Sequence, residues 1–144
     1  MIDLYSKEVV GNYFWYHCTG NDVKETIILA LDRGGMENIS AIRMRSDSGT
    51  QFICNTIENF LSTMNIPHER IHPATPKEDT HIESFNSIIE REVIIRFEFE
   101  SFDEPRCTIA RFVEFYNNER LHSALRYITP GKMNKKFIEK IQKA

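Results

Sequence analysis

Pro73 and Pro76 limit what this chain can fold into more than any other residues in it. Proline lacks the amide proton that a helix interior or a central strand needs, so neither element can run unbroken through His72–Glu78. The segment reads as a loop, and it divides the chain into halves of different pattern. Ahead of it, β-branched and aromatic runs alternate with helical spacing, whereas behind it only helical spacing recurs.

In the first half, Ile2–Tyr5 and Val9–Cys18 are rich in β-branched and aromatic residues and are separated by Ser6-Lys7-Glu8, which predicts a hairpin. On the second of these strands Phe14, Trp15 and Tyr16 would alternate between faces and pack in the core or at an edge, without forming one stacking platform. Asn21 or Asp22 can cap a helix to about Asp32, with Val23, Ile27, Ile28 and Leu31 on its inner side and Gly34-Gly35 ending it. A strand over Ile39–Met44 follows, then Arg45–Thr50, where Gly49 is expected to allow a sharp reversal. Phe52, Ile57, Phe60, Leu61 and Met64 predict a second helix ending at Ile66-Pro67, and His68–Ile71 one more short strand. The order is β-β-α-β-α.

In the second half, Asp79 or Thr80 can cap a long helix carrying Ile82, Phe85, Ile88, Ile89 and Val93. Another spans about Glu104–Asn117, with Ile109, Phe112, Val113 and Tyr116 inward. Pro130 opens a last one to about Gln142, with Met133, Phe137, Ile138 and Ile141 on its apolar face.

A length of 144 residues suits one compact core. No apolar run approaches the roughly 20 residues that span a bilayer, so a membrane partner is not expected. The three cysteines, Cys18, Cys54 and Cys107, are far apart and lack zinc-site spacing; they read as buried free thiols in a reducing cytoplasm, with no structural zinc. His68, His72 and His81 read as hydrogen-bonded or exposed imidazoles, since the intervening prolines break any regular ligand geometry. The net charge of −3 runs against a uniformly basic DNA-binding surface, although an enzyme that grips DNA through cations at carboxylates does not require one.

Asp47 follows a predicted strand and Glu83 lies early in a predicted helix, with 35 residues between them. In open α/β sheets functional groups gather beyond the carboxyl ends of strands, where two such acids can share hard divalent cations. An acid pair by itself is common. The residues around this one are less so: Arg45-Ser46-Asp47-Ser48-Gly49-Thr50-Gln51-Phe52 resembles the H-S-D-x-G-x-Q-[YF] segment of bacterial insertion-sequence transposases with a retroviral-type integrase core. Pro76–Asn86 resembles their P-x-x-[DN]-x-x-x-E-S-F segment, and Tyr116–Leu125 their Y-N-x-x-R-x-H-x-x-L ending, continued by Thr129-Pro130. Three motifs in order, at compatible separations, cover residues from about 1 to 131.

The resemblance implies an α/β, RNase H-like integrase core with a helical C-terminal half, here residues 1–144 as a partial catalytic core. It implies a triad of acids in which Asp47 is the second and Glu83 the third, both catalytic and both ligands to Mg²⁺ or Mn²⁺. The first acid belongs on an opening strand ahead of an I-D-L-[YF]-S-[RK]-x-x-V-G segment, and Met1–Gly11 already corresponds to that segment, so the core is expected to be truncated at the N-terminus. Asp3 is then structural or exposed, metal binding is weak, and the fragment alone is nearly inactive. DNA, as element ends and target, is the implied partner, together with further copies of the chain, and no small-molecule substrate is implied. Many relatives carry a DNA-contacting lysine where Glu90 stands; Arg91 is the candidate to replace it, or Glu90-Arg91-Glu92 is a solvated helix face. Arg120 and His122 either steer a DNA phosphate or pair with the preceding helices. The rival functional class is a non-catalytic remnant that binds DNA or dimerises and so interferes with intact transposase; an RNase H-type nuclease shares the fold but not the Y-N-x-x-R-x-H ending.

Overall fold

A computed structural model describes residues 1–33, 42–71, 80–101 and 103–142. The expected loop at 72–78 and the Gly34-Gly35 helix stop lie outside the described residues. The chain forms two compact units, Tyr13–Thr80, and Met1–Asn12 with His81–Ala144.

The 13–80 unit contains α1 (Gly20–Arg33), β1 (Met44–Ser46), α2 (Asn55–Thr63) and β2 (His68–Arg70). Asn21 and Asp22 do not cap α1. Thr19 does, because Asp22 closes a reciprocal box in which its Oδ2 accepts from the Thr19 amide at 2.8 Å and from Thr19 Oγ1 at 2.5 Å. Gly20 starts the helix against α2: a Cβ there would lie 2.3 Å from Cys54 Sγ. The core is Val23, Ile27, Ile57, Leu61 and Ile66; Ile28, expected inward, is exposed, and Thr26 is buried in this helix instead. The apolar spacing of α2 runs on to Met64, but Asn65 stops the helix at φ 54, with Ile66 N–H bonded to Leu61 O at 2.9 Å and Asn65 N–H to Ser62 O at 3.1 Å. That pair is the Schellman pattern, and asparagine tolerates the left-handed conformation it needs.

β1 and β2 pair in parallel, with Met44 opposite His68, Arg45 opposite Glu69 and Ser46 opposite Arg70. The first strand thus sits later than the expected Ile39–Met44, of which residues 39–41 lie outside the described residues. The Val9–Cys18 strand does not form. Tyr13, Trp15 and Tyr16 are exposed, with the rings of Trp15 and Tyr16 edge to face at 6.0 Å. Three bulky aromatics in a row need a facing layer on both sides of a strand, and the exposure of Trp15 and Tyr16 does not fit that arrangement.

The second unit joins the first twelve residues to α3 (Thr80–Ile89), a π turn (Glu90–Ile94), α4 (Asp103–Asn118), a 3₁₀ turn (Ser123–Leu125) and α5 (Pro130–Gln142). The expected hairpin survives only as one antiparallel bridge, Ile2 to Val9. Its turn is held by Asp3, whose Oδ1 accepts from Ser6 N at 2.6 Å and Ser6 Oγ at 2.7 Å while Lys7 takes φ 62. Asp3 is a turn-former, as expected of a structural residue. On the edge of Val9 not used by that bridge stands a side chain: Asn117, fully buried, accepts from Val9 N–H and donates to Val9 O, both at 2.9 Å. Buried Asn134 donates to Glu8 at 2.6 Å. Val9, Phe85, Val93, Ile109, Val113, Tyr116 and Leu125 form the apolar core. The π turn adds one residue to the helical repeat, which keeps Val93 inward, at 1% exposure, five positions after Ile88.

Candidate functional site

Asp47 is the first residue beyond β1, and its carboxylate is exposed. A strand holds it in place. Met44 N–H bonds Pro67 O and Ile71 N–H bonds Ser46 O, each at 2.9 Å, so the ladder continues to the residue before the acid. Asp47 Oδ1 accepts from Gly49 N–H at 2.9 Å, an Asx turn that sets the side chain relative to its own backbone. This turn, and not a left-handed glycine, makes the reversal. Gly49 has instead the Gln51 side-chain amide packed over its α-carbon, 2.6 Å from where a Cβ would sit.

Around Asp47 the polar contacts are local and satisfied. Ser46 Oγ lies 2.8 Å from His68 Nε2 across the parallel pair. Burial holds the His68 imidazole below its ordinary pKa, which favours the neutral ring there. On the other face Glu69 takes Arg45 at 2.9 Å and Arg43 at 3.1 Å, and the Arg45 hydrogen bond, then that of Arg43, holds its carboxyl below the usual range. Arg70 pairs with Glu58 of α2.

Glu83 stands in the first turn of α3 and is exposed. Two residues on, Phe85 is buried edge to face with Tyr116 of α4 at 4.9 Å, which fixes which side of α3 turns outward. Glu90 and Arg91 are exposed, and Arg91 Nε donates to Ser87 O at 3.3 Å. Glu92 departs from the expected solvated face: the π turn carries it to Arg120, 2.6 Å from its guanidinium, and that hydrogen bond holds the Glu92 carboxyl below its ordinary value. Arg120 therefore has a partner on the preceding helical stretch. His122 sits edge to face on Tyr116 at 4.9 Å, and its Nε2 is buried without a hydrogen bond among the described residues. Burial, then the Arg120 and Lys7 charges, hold His122 below its ordinary pKa.

Asp47 thus belongs to one compact unit, and Glu83, Arg91, Arg120 and His122 to the other. No cluster of three or more His, Cys, Asp or Glu side chains suited to a metal occurs among the described residues. The cysteines correct the expectation of buried thiols, since Cys18 and Cys107 are exposed and Cys54 is half-buried. Asn117 and Asn134 were not singled out from sequence, and Glu92 was read only as part of a solvated face. Asn117 alone had a signal, its place in the Tyr116-Asn117 motif.

Residues 64–130 match the integrase core domain model. In structure the chain is similar to a protein of the simian T-cell lymphotropic virus intasome in complex with PP2A regulatory subunit B56 gamma, with a TM-score of 0.72 and 13% identity over 92% of this chain and 46% of that one. It is also similar to the catalytic core domain of BIV integrase, with a TM-score of 0.62 and 16% identity over 86% of this chain and 76% of that one. The fold is the RNase H-like integrase core. Among curated proteins it is 27% identical over 131 residues to the insertion element IS407 uncharacterized 31.7 kDa protein of Burkholderia multivorans, covering 91% of this chain and 46% of that protein. It is 26% identical over 136 residues to the transposase for insertion sequence element IS904 of Lactococcus lactis, covering 93% of this chain and 53% of that one. The chain is thus similar to insertion-sequence transposases over most of its length, and it spans about half the length of the curated relatives it matches. No described helix is long and apolar enough to cross a membrane.

Proposed function

We propose that this chain is transposase catalytic machinery for cleaving DNA and joining its strands, with Asp47 and Glu83 as the acidic residues of the reaction. The observation that carries the reading is Asp47: an exposed carboxylate directly beyond a parallel strand, oriented by its own turn, inside the motif that resembles the family's second acid. Two hard oxygen donors of this kind suit Mg²⁺ or Mn²⁺ and not a soft metal. Such ions, when bound, supply positive charge at the attacked phosphodiester. The protein's own part is to present the Asp47 and Glu83 oxygens and to hold DNA. An oxygen of water or of a DNA 3′-hydroxyl forms the new bond to phosphorus, the opposite phosphorus–oxygen bond breaks, and the departing oxygen takes a proton. Arg91 meets a phosphate of the duplex; Arg120, with donors to spare beyond its Glu92 contact, and His122 act at a second one. The chain works on element ends and target DNA in company with further copies of itself.

The test is nicking of a donor duplex with Mn²⁺. Nicking by this chain alone is expected at a trace level, and Asp47→Ala and Glu83→Ala should each abolish it, with folding intact by circular dichroism. Arg91→Ala should weaken duplex binding and reduce the salt slope by about one. A second reading is a non-catalytic module that binds DNA or dimerises and so interferes with intact transposase. Duplex binding with no metal-dependent nicking, unchanged in Asp47→Ala, would establish that reading and sink the catalytic one.

A further inference from the structure

Between the π turn and α4 the chain reads Ile95-Arg96-Phe97-Glu98-Phe99-Glu100, an alternation of apolar and charged residues with the period of a β-strand. Yet residues 97–99 belong to no helix, turn or strand. The alternation is expressed in space, because the Phe97 and Phe99 rings stack on one side at 6.1 Å and 29° between planes. Ile95 is 72% exposed and Phe97 52%. Ile95 closes the π turn in the right-handed region at φ −74 and ψ −28, its amide bonded to Glu90 O, and the Glu100 amide is taken by Glu104 at 3.0 Å. Between these anchors the amides of Arg96, Phe97, Glu98 and Phe99 enter no backbone hydrogen bond among the described residues. A segment outside any helix or strand, with amides in no backbone hydrogen bond among the described residues, an aromatic side and a charged sequence alternation, is a template for strand pairing.

We infer that this segment pairs antiparallel with the same segment of a second copy, with Phe97 on the two-fold axis. Side-chain charge selects that partner and that register. Opposite residues of an antiparallel pair share a face, so centring on Phe97 sets Phe97 against Phe97, Arg96 against Glu98 twice over, and Ile95 towards Phe99 twice over. Centring on Glu98 would instead oppose two like acids. The anchored amides fit the same choice. With Phe97 as a non-hydrogen-bonded pair, the inter-strand bonds fall on Arg96 and Glu98, whose amides are open, and none is asked of Ile95, whose amide is bonded. The result is an isologous dimer, the same segment serving on both copies, and the π turn and the Glu104 bond set the length of the paired stretch.

This surface specifies where the self-association proposed above takes place, and it can fail without the catalytic reading failing. Light scattering of the full chain at concentrations on the order of tens of micromolar should give about twice the 16.9 kDa chain mass. Arg96→Glu or Glu98→Arg alone should weaken association roughly tenfold, and the two together should restore it, since the swapped pair is again complementary. All three residues concerned are exposed, and circular dichroism checks that the fold is kept. Phe97→Cys should link two copies through the introduced thiols under mild oxidation, located by peptide mass mapping against Cys18, Cys54 and Cys107, because a non-hydrogen-bonded pair brings Cα atoms to about 4.5 Å. A monomeric wild type, single variants that associate as well as wild type, or a double variant as weak as the singles would each overturn the inference. Association that persists in every variant would place self-assembly on another surface and leave nicking untouched.

Discussion

The two compact units hold themselves together differently. The 13–80 unit is one continuous stretch of chain, and its core of Val23, Ile27, Ile57, Leu61 and Ile66 is apolar; its described side-chain polar bonds include local caps, half-exposed ion pairs and the part-buried Ser46–His68 contact. The other unit is discontinuous, and the first twelve residues are fastened to α4 and α5 by buried polar side chains from Asn117 and Asn134. Apolar contact is non-directional and is enough to close a local α–β layer. A segment whose outer edge meets no strand needs its amides and carbonyls met individually, and a buried asparagine, with an NH₂ donor and a carbonyl acceptor side by side, can satisfy both groups of a residue.

The largest effect should be at Leu61, where truncation to alanine removes a side chain with 2% exposure and destabilises the 13–80 unit by about 2–5 kcal/mol in urea unfolding. Asn117→Ala should cost the other unit about 2–3 kcal/mol, because Val9 N–H and C=O stay buried without partners. Hydrogen exchange then sharpens the contrast. Protection should fall chiefly in residues 1–12 and α4 for Asn117→Ala, and in α1 and α2 for Leu61→Ala; equal losses everywhere in both would erase the distinction between units.

A smaller effect of about 1–2 kcal/mol is expected for Gly20→Ala, whose new methyl would collide with Cys54 Sγ. Cys54→Ala in the same chain should recover most of it, and additive losses in the double variant would show that the clash is not the cause. The smallest effect concerns Arg120 and Glu92. Both are a little over a quarter exposed, so the pair contributes about 1 kcal/mol or less. Because the folded Glu92 carboxyl lies below its ordinary value of 4.5, this contribution is present above that pH and is lost as pH falls through the lower folded value. The stability difference between wild type and Glu92→Gln should therefore shrink as pH falls below 4.5, while a difference that grows there would contradict the pairing.

Much of the architecture was readable in advance because it rests on near-neighbour periodicity. The apolar spacing at Ile109, Val113 and Tyr116 predicted α4 within a residue or so, Pro130 opened α5 where expected, and His68 began β2. The motifs around Asp47 and Glu83 pointed to the integrase core that the comparisons bear out. Readings that depended on a partner from elsewhere in the chain did less well. Val9–Cys18 has every local mark of a strand, but a strand exists only when another backbone pairs along it, and among the described residues only Val9 takes part in a bridge, to Ile2. Thr19 won the cap of α1 from Asn21 and Asp22 because Asp22 serves better three residues inside the helix than at its edge.

What the amino-acid sequence determined by itself is the set of helices, the strand-end position of Asp47 and the family motifs, all of them properties of a few consecutive residues and their propensities. What only the tertiary structure decided is which polar groups meet. Asn117 met Val9 more than a hundred positions away. The π turn delivered Glu92 to Arg120, and the Asp47 carboxylate, not Gly49, made its own turn. Hydrogen bonds are short-ranged and directional, so a shift of one residue in a helix or one turn in a loop changes their partners, and no local pattern encodes that outcome.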